Sequence, residues 1–252
     1  MNEADVIAAL GMPASARVNQ RVPKKLLVEN GASTAADKRR INDGIEDVFW
    51  LAALKPTTMG VPEFRDGTRE YLEIAVLSAM LRTTAETARL GELIHRPIPY
   101  PVLLISTQGD ALTISLAHKR RSQGEAGATV LDGALIVADP AAGGNAEVAA
   151  AFVRDMAIAR QPHADLFALY QGWMDTVVAL LAAKVTGTFT AASSPDMAAA
   201  RRTNLAECAR LEAHMASLRV AAAKERQVAR QVELNLEIKR IQAELSCALA
   251  KL

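Results

Sequence analysis

The spacing of apolar residues separates strand-forming from helix-forming segments along the chain. Residues 102–106 and 111–117 are short β-type runs separated by Thr-Gln-Gly-Asp, the composition of a tight hairpin turn. Residues 70–81 and 129–137 are also β-rich, so we predict a strand in each. Residues 1–145 therefore predict an α+β domain with a small mixed or antiparallel sheet flanked by helices.

Helical spacing precedes and interrupts these strands. Apolar residues three or four positions apart predict helices over residues 3–11 and 84–95. A third helix is predicted to begin at a cap on Ser33 or Thr34 and to run through Ile45 and Val48 to Lys55.

Three alternating prolines, Pro97, Pro99 and Pro101, precede the run that starts at Val102. Each proline fixes its own φ and forces its predecessor out of the helical region, so the segment must be extended. Because prolines lack the N–H donor, we expect the following strand at the margin of the sheet. A polyproline surface that binds a partner is the alternative, but such ligands are normally exposed, whereas this segment leads into an apolar strand.

The C-terminal part of the chain is predicted to be helical. We expect a helical connector over residues 146–192 and a long coiled-coil helix over residues 196–252, which contains neither Gly nor Pro. Two blocks with heptad-like spacing form a seam for a partner helix, and the blocks are out of phase with each other. A bend, a helical hairpin or a change of partner near residues 224–230 would each explain the phase shift. The seam residues are Leu211, Met215, Leu218, Leu234, Ile238, Ile241 and Leu245.

Composition limits the cellular setting. The 252 residues include two cysteines, Cys208 and Cys247, with no neighbouring ligand at metal spacing, which is typical of a reducing compartment. The chain begins with acidic rather than basic residues, and its longest apolar run, Val177–Ala183, is too short to cross a bilayer. We therefore expect a cytoplasmic protein without a membrane segment.

Catalytic signatures are scarce in the sequence. It contains no Walker loop, no dinucleotide-binding glycine pattern and no Gly-x-Ser-x-Gly or His-Glu-x-x-His motif. The four histidines are scattered, and we expect no metal and no cofactor. A nuclease that holds a divalent cation with Glu73, Asp110 and Lys119 is the catalytic alternative, with Glu70 as a further acid. Solvated charges at strand edges are the other interpretation of these residues.

Basic residues are concentrated near the N-terminus, although Lys and Arg exceed Asp and Glu by only one over the whole chain (29 against 28). This local excess predicts contact with a DNA backbone, or else a solvated surface. The candidate residues are Arg17, Arg21, Lys24, Lys25, Lys38, Arg39 and Arg40.

Four segments in order resemble a bacterial family known as domain of unknown function 4391. They are Val18–Lys25, Asp47–Thr57, Ile98–Leu104 and Arg230–Lys239. The resemblance implies a gene beside helicases and DNA methyltransferases in restriction or antiphage loci, and hence an accessory subunit.

These expectations combine into one hypothesis with two alternatives. The hypothesis is a non-catalytic adaptor that binds a helicase or methyltransferase through its C-terminal helix and contacts DNA through the basic residues. The alternatives are the metal-dependent nuclease and a structural protein that forms homo-oligomers through the C-terminal helix.

Overall fold

The computed structural model describes residues 2–125, 127–141 and 144–252. The helices are α1 (Glu3–Leu10), α2 (Lys24–Gly31), α3 (Ala35–Gly44), α4 (Pro56–Met59), α5 (Thr87–His95), α6 (Ala146–Asp155), α7 (Leu166–Thr186), α8 (Pro195–Lys224) and α9 (Val228–Leu249). The strands are β1 (Arg17–Arg21), β2 (Ile45–Leu54), β3 (Phe64–Arg65), β4 (Glu70–Tyr71), β5 (Ile74–Leu81), β6 (Val102–Gln108), β7 (Ala111–Arg121) and β8 (Thr129–Ala138).

The chain forms two compact units, residues 1–180 and 181–252, which we term the sheet unit and the hairpin unit. The boundaries predicted from the sequence were instead at residue 145 and near residues 192–196. The difference arises because α7 contributes side chains to the sheet unit: the Tyr170 hydroxyl donates to the carbonyl of Val102, 2.7 Å away.

One mixed sheet forms the centre of the sheet unit, in the order β1-β2-β5-β6-β7-β8. Strands β5 and β6 are parallel and are joined through α5, while the other neighbours are antiparallel. The short strands β3 and β4 pair only with each other. The predicted α+β class with a mixed sheet is therefore confirmed.

The β6–β7 hairpin forms where the sequence predicts it. Gln108 pairs with Ala111, and Gly109 between them has a φ of +58°, which glycine adopts without steric cost. The predicted strand over residues 70–81 is interrupted, because its first two residues belong to β4 and the rest to β5.

The helix predicted from residue 34 to Lys55 is wrong in its second half. Thr34 caps α3 as expected, accepting a hydrogen bond from the Asp37 amide at 3.1 Å, but α3 ends at Gly44 and the chain continues as β2. Ile45 and Val48 have helical spacing, yet this segment pairs with β1 on one side and β5 on the other. Strand pairing overrides the local pattern here.

Helices cover both faces of the sheet. Ser115 points toward α5, where its hydroxyl lies 3.0 Å from His95 Nε2, and His118 points toward α7, where its Nε2 lies 2.8 Å from Gln171 Oε1. Successive side chains of a strand alternate between faces, so α5 and α7 lie on opposite sides. The face toward α5 has a buried core formed by Leu27, Ile41, Ile45, Val48, Ala75, Leu77, Ala79, Leu81, Leu90, Leu93, Ile94, Ile98, Val102 and Leu104.

The proline segment forms a corner between α5 and the strand β6. The strand that follows it, β6, lies between β5 and β7, so the expected position at the sheet margin is wrong. The prolines precede the first strand residue, and Pro101 still accepts a ladder hydrogen bond from the Ala75 amide at 2.9 Å. Gly31 packs closely here, since a Cβ on it would lie 3.0 Å from Pro97 Cδ.

The hairpin unit shows which alternative applies at residues 224–230. Helix α8 ends at Lys224, and α9 begins at Val228 and returns along it, so the long single helix is wrong and the hairpin alternative is correct. Two contacts mark the antiparallel course: Gln231 donates to the carbonyl of Ala222 at 3.3 Å, and Asn204 donates to that of Lys251 at 3.1 Å.

Helix α7 is long and apolar enough to cross a membrane by length and composition, although 67% of its apolar window is buried within the protein. Tyr170 and Trp173 are fully buried and hydrogen-bonded, Trp173 donating to the carbonyl of Met156 at 2.7 Å. These contacts are typical of a core helix.

Candidate functional site

The structure does not assemble the predicted nuclease site. Asp110 lies in the turn before β7, and Lys119 lies near the other end of that strand, about 30 Å away at ~3.4 Å per residue. Glu73 is buried and forms an ion pair with Lys55 at 3.2 Å, while Glu70 forms ion pairs with Arg121 and Arg65. Within the described residues, no group of three His, Cys, Asp or Glu side chains could hold a metal ion.

Lys119 is buried, with only 2% of its surface exposed, so it is not a solvated strand-edge charge. Its amine donates to the carbonyl of His95 at 2.6 Å, at the end of α5, and to that of Ile98 in the proline corner. Burial lowers the pKa of Lys119 to about 7. The amine thus fixes the C-terminus of α5 to the corner, where free carbonyls favour a cation.

His95 occupies the same buried region. Its Nε2 lies 3.0 Å from the Ser115 hydroxyl, and its Nδ1 has no hydrogen-bond partner among the described residues. Burial and the nearby Lys119 charge lower the pKa of His95 to about 3, so its ring is neutral at physiological pH.

A second polar cluster joins β4, β7 and α7. Gln171 Nε2 donates to Asp175 at 2.9 Å, which directs its Oε1 toward His118 Nε2 at 2.8 Å. In the neutral ring, His118 Nε2 is then the donor and Nδ1 accepts from the Tyr71 hydroxyl. Burial raises the pKa of Tyr71, so the hydroxyl keeps its proton.

Aromatic and charged side chains surround this cluster. The Phe167 ring stacks between Phe64, at a centroid distance of 4.8 Å, and His118, at 5.2 Å. Arg69 lies 5.8 Å from the centre of the Phe167 ring and donates two hydrogen bonds to Asp132. Because both His118 nitrogens contact protein groups, this cluster holds β4 and α7 against the sheet.

The basic N-terminal residues differ in their surroundings. Arg21 pairs with Asp47, Lys25 with Glu29 at 3.7 Å, and Arg40 with Asp37 and Glu86. Lys24 is half-buried and donates to the carbonyl of Ile45.

Three of the seven basic candidates remain unpaired: among the described ion pairs, none includes Arg17, Lys38 or Arg39, which are exposed. Beside Lys38 and Arg39, the buried carboxylate of Asp37 accepts hydrogen bonds from Arg89 at 2.8 and 3.1 Å. These bonds hold the pKa of Asp37 below its usual range. Of the predicted patch, Arg17, Lys38 and Arg39 are thus the exposed cations without an acidic partner among the described ion pairs.

The predicted partner-helix seam is covered by the chain's own second helix. The core of the hairpin unit consists of Cys208, Leu211, Met215, Ile241, Leu245 and Ala248, with Leu218 and Ile238 partly buried against it. Leu234 is also partly buried. The seam thus packs helix against helix within one molecule, and its residues are not a free surface for another chain.

A different apolar surface of α9 is exposed, and it was not predicted from the sequence. Val228, Val232 and Leu236 are 74%, 51% and 62% exposed, and we term these three residues the outer stripe. The four-residue spacing of the stripe is visible in the sequence, but it was hidden by the stronger heptad pattern of the seam. Val220 on α8 is also exposed, by 55%.

The family model described as a domain of unknown function, DUF4391, matches residues 10–245. The chain belongs to this family. No curated protein and no solved structure matches it.

The structure explains two of the segments in which the chain resembles the DUF4391 family. Ile98–Leu104 contains most of the proline corner, and the Lys119 amine on β7 donates to the carbonyl of Ile98 within it. Arg230–Lys239 contains two of the three outer-stripe residues, Val232 and Leu236. The first segment has a structural role in the sheet unit, and the second presents an exposed apolar surface.

Proposed function

We propose that this protein is a non-catalytic accessory subunit of a bacterial DNA-targeting antiphage or restriction-type system. In this proposal it acts in the cytoplasm and binds a helicase or DNA methyltransferase encoded in the same locus. The resemblance to the DUF4391 family suggests this class of partner.

The observation that carries this proposal is the construction of the hairpin unit. It is a separate compact unit with its own core, and it still exposes branched apolar side chains on the outer sides of both helices. Apolar side chains that a folded unit leaves in water favour contact with another protein. The polar clusters of the sheet unit, in contrast, bond to protein groups and serve the fold.

A pull-down from the native host tests the proposal. The full chain should capture a helicase or methyltransferase of its own locus, identified by mass spectrometry. Replacing Val220, Val228, Val232 and Leu236 together by serine should abolish that capture. A matched control replaces the exposed Val18 and Val130 of the sheet unit by serine and should retain it. Equal capture by both variants would contradict a binding role for the hairpin unit.

The DNA contact is a separate part of the proposal. Arg17, Lys38 and Arg39 are the candidates best suited to bind phosphate, because no acidic side chain neutralises them in the described ion pairs. Replacing the three by glutamine should weaken binding to duplex DNA of any sequence. The slope of log affinity against log salt should fall by about 0.9 for each phosphate that the variant no longer binds. Lys25→Gln is the control, since Glu29 already pairs with Lys25; an unchanged slope in the triple variant would remove DNA binding from the proposal.

A further inference from the structure

The helices leave one face of the sheet open at its β1–β2 end. On the face toward α7, the strand register forms a row that runs inward from the edge strand through Arg21, Phe49, Ser78, Ile105 and Ile114. Exposure falls along this row, from 39% at Phe49 to 9% at Ser78 and 0% at Ile105. The cover over this face therefore ends at β5, and the side chains of β1 and β2 in the row face solvent.

Helix α1 marks the limit of the cover. The Ser78 hydroxyl donates to the Glu3 carboxylate of α1. Met80 lies two residues further along β5, so it is on the same face as Ser78, and it is 47% exposed. Because Phe49 is opposite Ser78, Met80 is its diagonal neighbour, roughly 7–8 Å away. Phe49 and Met80 thus form an exposed apolar surface beside α1.

The ring of Phe49 has no aromatic partner within the protein. It is the only aromatic side chain among the large hydrophobic residues that are exposed in the described part of the chain. The ring contacts found among the described residues lie around Phe167, and none of them includes Phe49. The Phe49 ring is therefore available to a planar group from outside the chain.

Two arginines of the edge strand flank this ring. Arg21 is directly opposite Phe49, which puts the two Cβ atoms roughly 5 Å apart on the same face. Arg21 pairs with Asp47 through one nitrogen, but its side chain is 67% exposed and keeps further N–H donors. Arg17, at the start of β1, is exposed and belongs to none of the described ion pairs. A planar apolar ring beside exposed guanidinium groups matches the two parts of a nucleotide, the base and the phosphate.

We propose that this surface, formed by Arg17, Arg21, Phe49 and Met80 and termed the Phe49 surface, binds single-stranded DNA. One base stacks on Phe49, and the adjoining phosphates contact Arg17 and Arg21. Unpaired bases of single strands stack on exposed aromatic side chains, including those on sheet surfaces. In a duplex both faces of each base are covered by its neighbours, so a duplex does not offer the same contact.

This inference deepens the proposed DNA contact, because it assigns the strand form of the ligand and adds an aromatic residue to the arginines. The choice of DNA over RNA rests on the proposed function. The basic segment from Arg17 to Arg40 contains no aromatic residue, so the sequence alone gives no sign of stacking there. The pairing of β1 with β2 brings Phe49 to the basic strand.

Anisotropy of a fluorescent oligothymidine of about eight nucleotides, titrated with the purified full chain at low salt, tests the inference. The native chain should bind this strand. Phe49→Leu keeps an apolar side chain but removes the ring, so affinity should fall about tenfold, the size of one lost base stack. Phe49→Tyr keeps a ring and should bind like the native chain.

The matched control is Val130→Ala, which changes an exposed apolar side chain on the opposite edge strand and should leave binding unchanged. Circular dichroism verifies that each variant is folded. A native chain without affinity for the strand would overturn the inference. Equal affinity of Phe49→Leu and the native chain would overturn it as well.

Photochemical cross-linking tests the stacking contact directly. An oligothymidine in which iodouracil replaces one thymine should couple under ultraviolet light to Phe49, and mass spectrometry of the digested chain identifies the attached residue. A loss of stability alone does not produce such a bond, so this result separates contact from a structural role. Cross-links at other residues with none at Phe49 would contradict the proposal.

Salt dependence tests the phosphate contacts. Replacing Arg17 and Arg21 together by glutamine should reduce the slope of log affinity against log salt by about 0.7 for each phosphate that is no longer bound. Lys25→Gln is the control, since Lys25 already pairs with Glu29. An unchanged slope in the double variant would contradict the assigned role of the two arginines.

This inference and the proposed function fail separately. If the native chain captures no helicase or methyltransferase but binds oligothymidine through Phe49, the accessory role is wrong and the Phe49 surface stands. If Phe49→Leu loses that capture and keeps its DNA affinity, the surface belongs to the protein partner and the inference is wrong. Tighter binding of oligouridine than of oligothymidine, dependent on Phe49, would overturn the assignment to DNA.

Discussion

The sheet unit and the hairpin unit bury apolar side chains on very different scales. In the sheet unit, helices cover both faces of six strands, and side chains as large as Trp173 and Tyr170 are fully enclosed. The hairpin unit buries one seam between two helices. Burial contributes roughly 25 cal/mol per Å² of apolar surface, so the hairpin unit has far less stabilisation of its own. The sheet unit is thus suited to hold a fixed structure, and the hairpin unit is suited to gain stability by association.

The largest expected effect is in the sheet unit. Trp173→Ala should lower the free energy of unfolding by about 4 kcal/mol, because it opens a cavity and leaves the carbonyl of Met156 without its donor. Chemical denaturation measures the loss. Trp173→Phe keeps most of the packing and should lose less than half as much. A loss below about 1 kcal/mol in Trp173→Ala would show that Trp173 is not closely packed in the core.

A smaller and more local effect is expected in the hairpin unit. Ile241→Ala should cost about 2 kcal/mol, near the low end for a buried aliphatic residue, because the seam is narrow. Hydrogen exchange should show faster exchange in α8 and α9 and unchanged protection in β5 and β6. Leu236→Ala on the exposed side of the same helix is the control. Uniform acceleration in both units would mean that they unfold together and that the hairpin unit is not separately less stable.

The buried amine of Lys119 predicts a pH dependence of stability. Its pKa in the folded protein, about 7, is below its ordinary value of 10.5, so between these values the unfolded chain binds more protons. The free energy of unfolding should therefore rise with pH from 7 toward 10.5, by up to ~1.4 kcal/mol per pH unit, and this gain is lost as pH falls to 7. Denaturation at several pH values measures the slope.

Lys119→Met should remove that slope while leaving two carbonyls without a donor. The exposed Lys184 serves as the control, and Lys184→Met should keep the slope. If Lys119→Met retained the native slope, another group would have to carry the titration.

The smallest expected effect on stability is at the outer stripe. Val232→Ser should change the free energy of unfolding of the monomer by less than about 0.5 kcal/mol, because the side chain is half-exposed and makes no contribution to the seam. Thermal denaturation measures this. A loss of 2 kcal/mol or more would mean that Val232 packs within its own molecule.

Local signals allowed most elements of the sheet unit to be predicted. The Thr-Gln-Gly-Asp turn specified the β6–β7 hairpin, and the cap on Thr34 specified the start of α3. Strand β2 was not predicted because its apolar spacing is also compatible with a helix. The segment is a strand because it pairs with β1 on one side and β5 on the other. The sheet order was likewise beyond local pattern: the prolines before β6 led us to expect it at the margin, but it lies between β5 and β7.

The candidate site was less predictable because burial depends on contacts distant in sequence. Lys119 and Glu73 have the residue types of a metal site, but residue type reveals neither their enclosure nor the distance along β7 that separates Lys119 from Asp110. The heptad pattern correctly identified which residues pack, but spacing alone does not say whether the opposing helix belongs to the same molecule. The four-residue ridge on the other side of α9 was the available signal for an outer surface.

Because its amine is enclosed, Lys119 can report chemically on local opening of the sheet unit between β7 and the end of α5. Reagents that acylate lysine reach exposed side chains such as Lys184 at once, but they reach Lys119 only when β7 separates from the end of α5. The time course of modification at this one nitrogen, followed by mass spectrometry, would therefore measure how often the sheet unit opens while the rest of its surface reacts immediately.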